Sequence, residues 1–331
     1  MSRWRLAGAA VLAAALGAGL LAPAGRAAEG DDALADAMAA ALQDEWRAEA
    51  FYEAVMAVHG EVRPFSKIVR AEGRHAGALL ALHERLGMTP PDNEWAGAEF
   101  DVPETLEACC DLAASGEVAN VALYDEWLET IDHEDARGVF ASLRQASAER
   151  HLAAFRACGS GWEEVEIESM DKRQSRQRQW AESAQRELFG RVFAELRKAM
   201  AGGDVASAIE VCKDKAPPLA GEVGERRKVR IGRTSFRLRN PENTPPPWAV
   251  GYVDRRVERA HYLAARDGRL AALLPIRTMS LCLGCHGGED DLAPGVPERL
   301  AELYPDDRAT GFGNNALRGW FWVEVPPPVG D

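Results

Sequence analysis

The sequence predicts two folded units of different class, an all-α four-helix bundle followed by an α+β domain. Three observations carry this. Apolar residues recur at helical spacing in four long stretches, about 32–59, 62–87, 103–131 and 134–157. Later in the chain the composition changes: 229–238 and 317–325 are rich in β-branched and aromatic residues, as strands are, and 240–247 reads as a Pro/Asn loop. Charge divides in the same way, with 30 acidic against 10 basic residues over 28–170 and 22 against 26 over 171–331.

The N-terminus reads as an export signal over residues 1–27. Arg3 and Arg5 precede an apolar run over 6–22, and Ala24-Gly25-Arg26-Ala27-Ala28 offers small residues for cleavage. The expected location is therefore the periplasm or another exported compartment. A retained membrane anchor is the alternative, since no ideal small-x-small site occurs; the run is short for a full span. No second apolar run long enough to cross a bilayer follows, so a soluble mature protein is expected. The formal net charge of −13 argues against nucleic acid as a partner, and the acidic first unit suits cationic partners.

The first unit is expected over 33–158. Val62-Arg63-Pro64 separates the first two helices, because proline fits only the first turn of a helix. Met88-Thr89-Pro90-Pro91-Asp92-Asn93 ends the second helix and opens a long connection, the layout of a bundle with one crossover. Residues 159–180 read as a polar linker. A helix over 179–200 follows, with Leu188, Phe189, Val192, Phe193 and Leu196 on one face, and the second unit is expected over 181–331.

Cys282-Leu283-Gly284-Cys285-His286 is the attachment signature for one covalent c-type haem. Two thiols at this spacing can form thioethers to the two vinyl groups, and the adjacent histidine is then placed to ligate iron. A thioredoxin-like pair needs no such histidine. Half of a zinc site would need a second Cys-x-x-Cys or paired histidines, which do not follow. Candidates for the other axial ligand are Cys212, His261, Met279 and Met200. Met279 is too close to Cys282 in sequence to reach the opposite face of the ring, and His261 reads as a surface residue near a helix end. Cys212 lies on a helix rich in small apolar residues, where a buried structural thiol is the ordinary reading.

Three stretches, 208–217, 231–243 and 274–288, resemble PAS-like single-haem c-type domains of bacterial sensors and exported proteins. The matching pieces are Ala-Ile-x-x-Cys followed by Ala-Pro, then Arg-x-Arg-Asn-Pro-x-Asn, then the haem motif with Gly287-Gly288. The resemblance covers most of 181–325. It implies that His286 is the proximal ligand and Cys212 the second, which would lower the iron potential. Arg237 and Arg239 then become candidates to pair haem propionates, with a solvated strand face as the ordinary alternative.

In the first unit, Glu72-Gly73-Arg74-His75 is Glu-x-x-His, a spacing that puts both ligating side chains on one helix face. Glu45 with Tyr52 and Glu117 with Tyr124 are each seven apart, nearly two turns. His151 on the fourth helix completes the set. This pattern resembles a rubrerythrin- or ferritin-like carboxylate di-iron bundle over about 33–157, with the run Gly60-Glu61-Val62-Arg63-Pro64-Phe65-Ser66 as a further likeness. The resemblance implies one or two non-haem iron ions held by Glu45, Glu72, His75, Glu117 and His151. The full pattern needs a second Glu-x-x-His, and Ala148 stands three before His151 while Glu149 stands two before it.

Cys158 at the end of the fourth helix can reach Cys109 or Cys110 at the start of the third, and an exported compartment permits a disulfide. The function expected is electron transfer between a low-potential His/Cys-ligated haem and a ferritin-like metal centre, with peroxide or ferrous-iron chemistry. A redox partner protein or a small oxidant is the expected partner. The alternative is a haem-based redox or gas sensor, with the bundle as a metal-free docking module. No hydrolytic nucleophile set and no phosphate-binding loop occurs in the sequence.

Overall fold

The computed structural model describes residues 25–201 and 205–327. The export signal expected over residues 1–27 lies outside the described residues apart from its last three positions. Among the described residues, no helix is long and apolar enough to cross a membrane. The chain divides into two compact units, one ending at Gly159 and one beginning at Ser160.

The first unit is built from α1 (Gly25–His59), α2 (Phe65–Leu86), α3 (Leu106–Thr130), α4 (Glu134–Gln145) and α5 (Leu152–Cys158). Gly87 at φ 66° ends α2 in a left-handed conformation that residues with a side chain rarely adopt. Thr105 starts α3, its hydroxyl accepting a hydrogen bond from the Ala108 N–H at 3.2 Å. The long crossover expected from sequence occupies 87–105. A π-turn, Ala146–His151, joins α4 to α5 into the fourth arm of the bundle. Buried positions Leu143, Ser147, His151 and Phe155 are four apart in sequence. A regular helix at 3.6 residues per turn would drift off that spacing, and the wider turn keeps them inward.

Two apolar clusters fill the bundle. One holds Leu34, Met38, Leu42, Leu79, Leu82, Tyr124 and Phe140; the other holds Phe51, Val55, Phe65, Ile68, Cys110 and Phe155. On each arm a polar residue falls between them: Glu45, Glu72, Glu117 and His151, all buried. Cys110 and Cys158 form a disulfide, while Cys109 is a free, buried thiol.

The second unit opens with β1 (Glu163–Glu164) and the long helix α6 (Lys172–Met200). Residues 159–180, expected as a linker, thus carry an edge strand and the first turns of a helix. Their polarity misled because β1 is exposed and because α6 starts with an Asp171/Gln174 capping box. Next come α7 (Ala208–Glu210), a π-turn (Val211–Lys215), α8 (Ala216–Arg227), β2 (Arg230–Thr234), α9 (Val250–Asp254), β3 (His261–Ala264), β4 (Leu270–Arg277), α10 (Ser280–His286), α11 (Val296–Leu303) and β5 (Leu317–Val325). The five strands form one antiparallel sheet in the order β1-β3-β4-β5-β2.

One core joins Ala181, Ala184, Leu188 and Val192 of α6 to Leu270, Ala272, Phe321 and Val323 of the sheet. A smaller cluster, Ile209, Val296, Leu300 and Tyr304, packs with Cys285 at the end of the cysteine motif. The strand expected over 229–238 stops at Thr234, where the Ser235 hydroxyl donates to the Arg318 carbonyl and accepts from the Arg237 N–H. His261 is not a surface residue near a helix end. It sits buried in β3, with Nδ1 2.6 Å from Glu164 Oε1.

Candidate metal and haem sites

Four arms bring five titratable side chains together in the bundle. Nδ1 of His75 lies 3.1 Å from Glu45 Oε2 and 2.9 Å from Glu72 Oε2. Nδ1 of His151 lies 3.1 Å from Glu72 Oε1 and 3.4 Å from Glu117 Oε1. The two imidazole rings stack at 5.4 Å with Glu72 reaching both. Tyr124 donates to Glu45 Oε1 at 2.8 Å and Tyr52 to Glu117 Oε1 at 2.9 Å. The result is two similar halves, tyrosine–carboxylate–imidazole, sharing Glu72.

Burial governs the charges. It pushes Glu45 up to about 8, against the hydrogen bond from His75. Burial also acts on Glu72, but the imidazoles of His151 and His75 outweigh it and hold this carboxyl down at about 2. Burial opposes the charged form of both histidines, yet their carboxylate neighbours raise His75 to about 9 and His151 to about 10.

The donor set fits a metal ion. Glu72, His75 and His151 offer one ligand atom each within 4.8 Å of one another. His151 Nδ1 and Glu72 Oε1 are both buried, and despite their proximity neither makes an aligned hydrogen bond. Buried polar atoms left in this way are costly, and a cation between them would satisfy both. Glu149 does not join: it is exposed and accepts from Gln145 Nε2 at 3.1 Å. The centre therefore has three carboxylates, with Ala148 where a fourth would stand.

In the second unit, Cys282, Cys285 and His286 share the short helix α10, and both thiols are free and partly exposed. Gly287 has no room for a side chain, which would press on Asp291 and the Leu283 carbonyl. His286 Nδ1 lies 2.6 Å from the Ala309 carbonyl oxygen, which can only accept. Nδ1 therefore carries the proton, and Nε2 keeps its lone pair for a metal. Burial, then Arg318 and Arg239, holds this imidazole well below its ordinary range, so it is neutral. These groups fit a c-type haem: two thiols for attachment and an oriented nitrogen for iron.

Cys212 lies on the π-turn after α7, within electrostatic range of Cys285, Tyr304 and Arg318. Arg239 is buried, engaging both Asp307 oxygens at 3.1 and 3.2 Å and donating to the Cys285 carbonyl at 2.6 Å. Arg237 donates to the Arg308 carbonyl and lies over the Phe312 ring at 4.7 Å. Of the other axial candidates, His261 is held by Glu164 and Met279 is exposed at the start of α10. Sequence reading missed Arg318 and Arg233 beside His286; the one signal for Arg318 was a charged residue inside an aromatic strand.

Comparison with known proteins adds the following. Residues 150–326 match the family described as Tll0287-like: Tll0287. The crystal structure of the cyanobacterial heme-protein Tll0287 is similar at 20% identity and a TM-score of 0.34, covering 50% of this chain and 100% of that one. The hypothetical protein MJ0754 from Methanococcus jannaschii DSM 2661 is similar at 18% identity and a TM-score of 0.34, covering 44% of this chain and 84% of that one. No curated protein matches.

Proposed function

The chain belongs to the Tll0287-like family, and from that premise we propose that it is an exported redox protein carrying one covalent c-type haem. In this reading the α+β unit is a PAS-like haem domain and the helical unit a ferritin-like bundle of rubrerythrin type holding non-haem iron. The observation that carries it is the pairing of Cys-x-x-Cys-His with the orientation of His286. Its Nδ1 donates to Ala309 and leaves Nε2 directed to a metal, directly after two free thiols.

Haem supplies one-electron redox chemistry when bound. Cys282 and Cys285 would anchor it through their thiols, and His286 and Cys212 would supply the nitrogen and sulfur that hold its iron. The Ala309 carbonyl fixes the His286 tautomer, and Arg239, bridging Asp307 to the Cys285 carbonyl, fixes the end of α10. In the bundle, Glu72 joins two half-sites, and Tyr52 and Tyr124 orient their carboxylates through hydrogen bonds. With both groups bound, the haem would supply or take up single electrons for peroxide or ferrous-iron chemistry at the bundle carboxylates and histidines.

The test is pyridine haemochrome spectroscopy with iron analysis on protein exported by a strain competent for c-type maturation. A c-type signal with more than one iron per chain is expected. Haem with a single iron would remove the bundle from the redox scheme and leave a haem-based sensor, which carbon monoxide displacing Cys212 would mark. No covalent haem would overturn the proposal.

A further inference from the structure

The cysteine-motif end of the α+β unit holds more positive charge than it neutralises. Arg239 is matched by Asp307. Arg318 is not matched: among the described residues no carboxylate lies within salt-bridge distance of it. Its Nη1 donates to the Arg237 carbonyl at 3.2 Å, and its plane lies over Phe312 at 5.3 Å. Its Nε stands 3.3 Å from His286 Nδ1. That nitrogen already carries the proton given to Ala309, so the contact adds positive charge without a hydrogen bond.

Arg233 on the neighbouring strand β2 is likewise without a carboxylate partner among the described residues. It is half-buried and stands opposite Phe321 of β5, the strand that carries Arg318. Two half-buried guanidiniums thus lie on adjacent strands with no carboxylate partner among the described residues. Unpaired charge in a partly buried place is costly unless a ligand supplies the counter-charge. A guanidinium fork suits a carboxylate in particular.

We propose that Arg318, with Arg233, is the binding site for the carboxylate side chains of the haem, in place of Arg239, whose guanidinium is already engaged by Asp307 and the Cys285 carbonyl. The inference rests on the haem reading above. It deepens that reading by giving Arg318 a second effect: a fixed positive charge beside the proximal histidine favours reduced iron.

The experiment compares haem-loaded wild type with Arg318→Gln, Arg318→Lys and Arg233→Gln by potentiometric titration from pH 5 to 8. Arg318→Gln is expected to shift the reduction equilibrium about tenfold toward the oxidised form, roughly 59 mV for one electron. It should also make the midpoint potential fall with pH, as an unclamped carboxyl group begins to titrate. Arg318→Lys is expected to restore most of the potential and a flat pH profile, which loss of packing alone would not allow. Arg233→Gln should shift the equilibrium in the same direction by a smaller factor, and it carries the test if Arg318→Gln does not fold. A normal haemochrome with unchanged potential and pH slope in the Gln variants would overturn the assignment of Arg318 while leaving the haem intact. Absence of haemochrome in the wild type would sink the haem reading itself.

Discussion

The two candidate sites are built on opposite plans. The bundle centre draws one or two side chains from each of four arms, separated by many residues, and surrounds them with core. The candidate haem site places three residues within one turn and a half of α10, leaves the two thiols partly exposed, and sets Arg318 against its histidine. The bundle therefore collects carboxyl and imidazole donors that hold protons between them and that a metal ion could bridge, whereas the α+β unit sets arginines without carboxylate partners near its histidine. The difference also predicts different fragility: losing a shared ligand undermines the whole bundle core, while losing a cysteine removes an attachment point.

Glu72→Ala is the sharpest way to break that comparison. Glu72 is the one side chain common to both half-sites. Removing it leaves two imidazoles facing an empty space in the core, where breaking a buried charged pair costs about 3–5 kcal/mol. Chemical denaturation of the metal-free protein should show this loss, and in the iron-loaded variant bundle iron should fall below detection while the haemochrome signal is unchanged. Retained iron would sink the role of Glu72 as the shared ligand. The substitutions Tyr124→Phe and Tyr52→Phe sharpen the comparison at a smaller scale. Each frees one carboxylate from its hydrogen bond without removing a ligand, and metal affinity is expected to fall about 10–100-fold. Competition with a chelator measures it. If only one tyrosine mattered, the two halves would be unequal despite their similar geometry.

The same contrast explains what was legible in the sequence. Cys282, Cys285 and His286 are contiguous, so spacing alone carries their chemistry. The bundle ligands could be read because α-helical periodicity converts Glu72/His75, Glu45/Tyr52 and Glu117/Tyr124 into shared faces. Their convergence, and the fate of Glu149, needed the fold: only the π-turn over Ala146–His151 decides which residue of the fourth arm points inward. The sheet was half visible. Long β5 stood out by its aromatic and β-branched residues, but β3 is four residues, β1 only two, and β4 is an apolar run containing Pro275. A signal was present in Asp267-Gly268, where Gly268 at φ 84° turns the β3–β4 hairpin. Arg318 was unreadable because its significance depends on who fails to neutralise it, which is a property of three-dimensional neighbours.

A last prediction uses a His–carboxylate contact in the second unit as the control for those in the bundle. His261 and Glu164 pair at 2.6 Å across β1 and β3, and among the described residues no second carboxylate forms an ion pair with His261. The bond from His261 lowers the Glu164 carboxyl below its ordinary 4.5, outweighing partial burial. A depressed acid contributes stability that is complete above the unfolded value and is lost as pH falls through the lower folded value. The loss therefore belongs to the acid limb below about 4.5, and Glu164→Gln should abolish it. Because the Glu164 side chain is about a third exposed, solvent screening limits the effect to less than about 1 kcal/mol. Denaturation of wild type and variant at neutral and acid pH measures it. If the difference between them instead persisted to low pH, His261 and Glu164 would be joined by packing and not by charge, and the resemblance to the bundle's His–Glu contacts would be one of residue type alone.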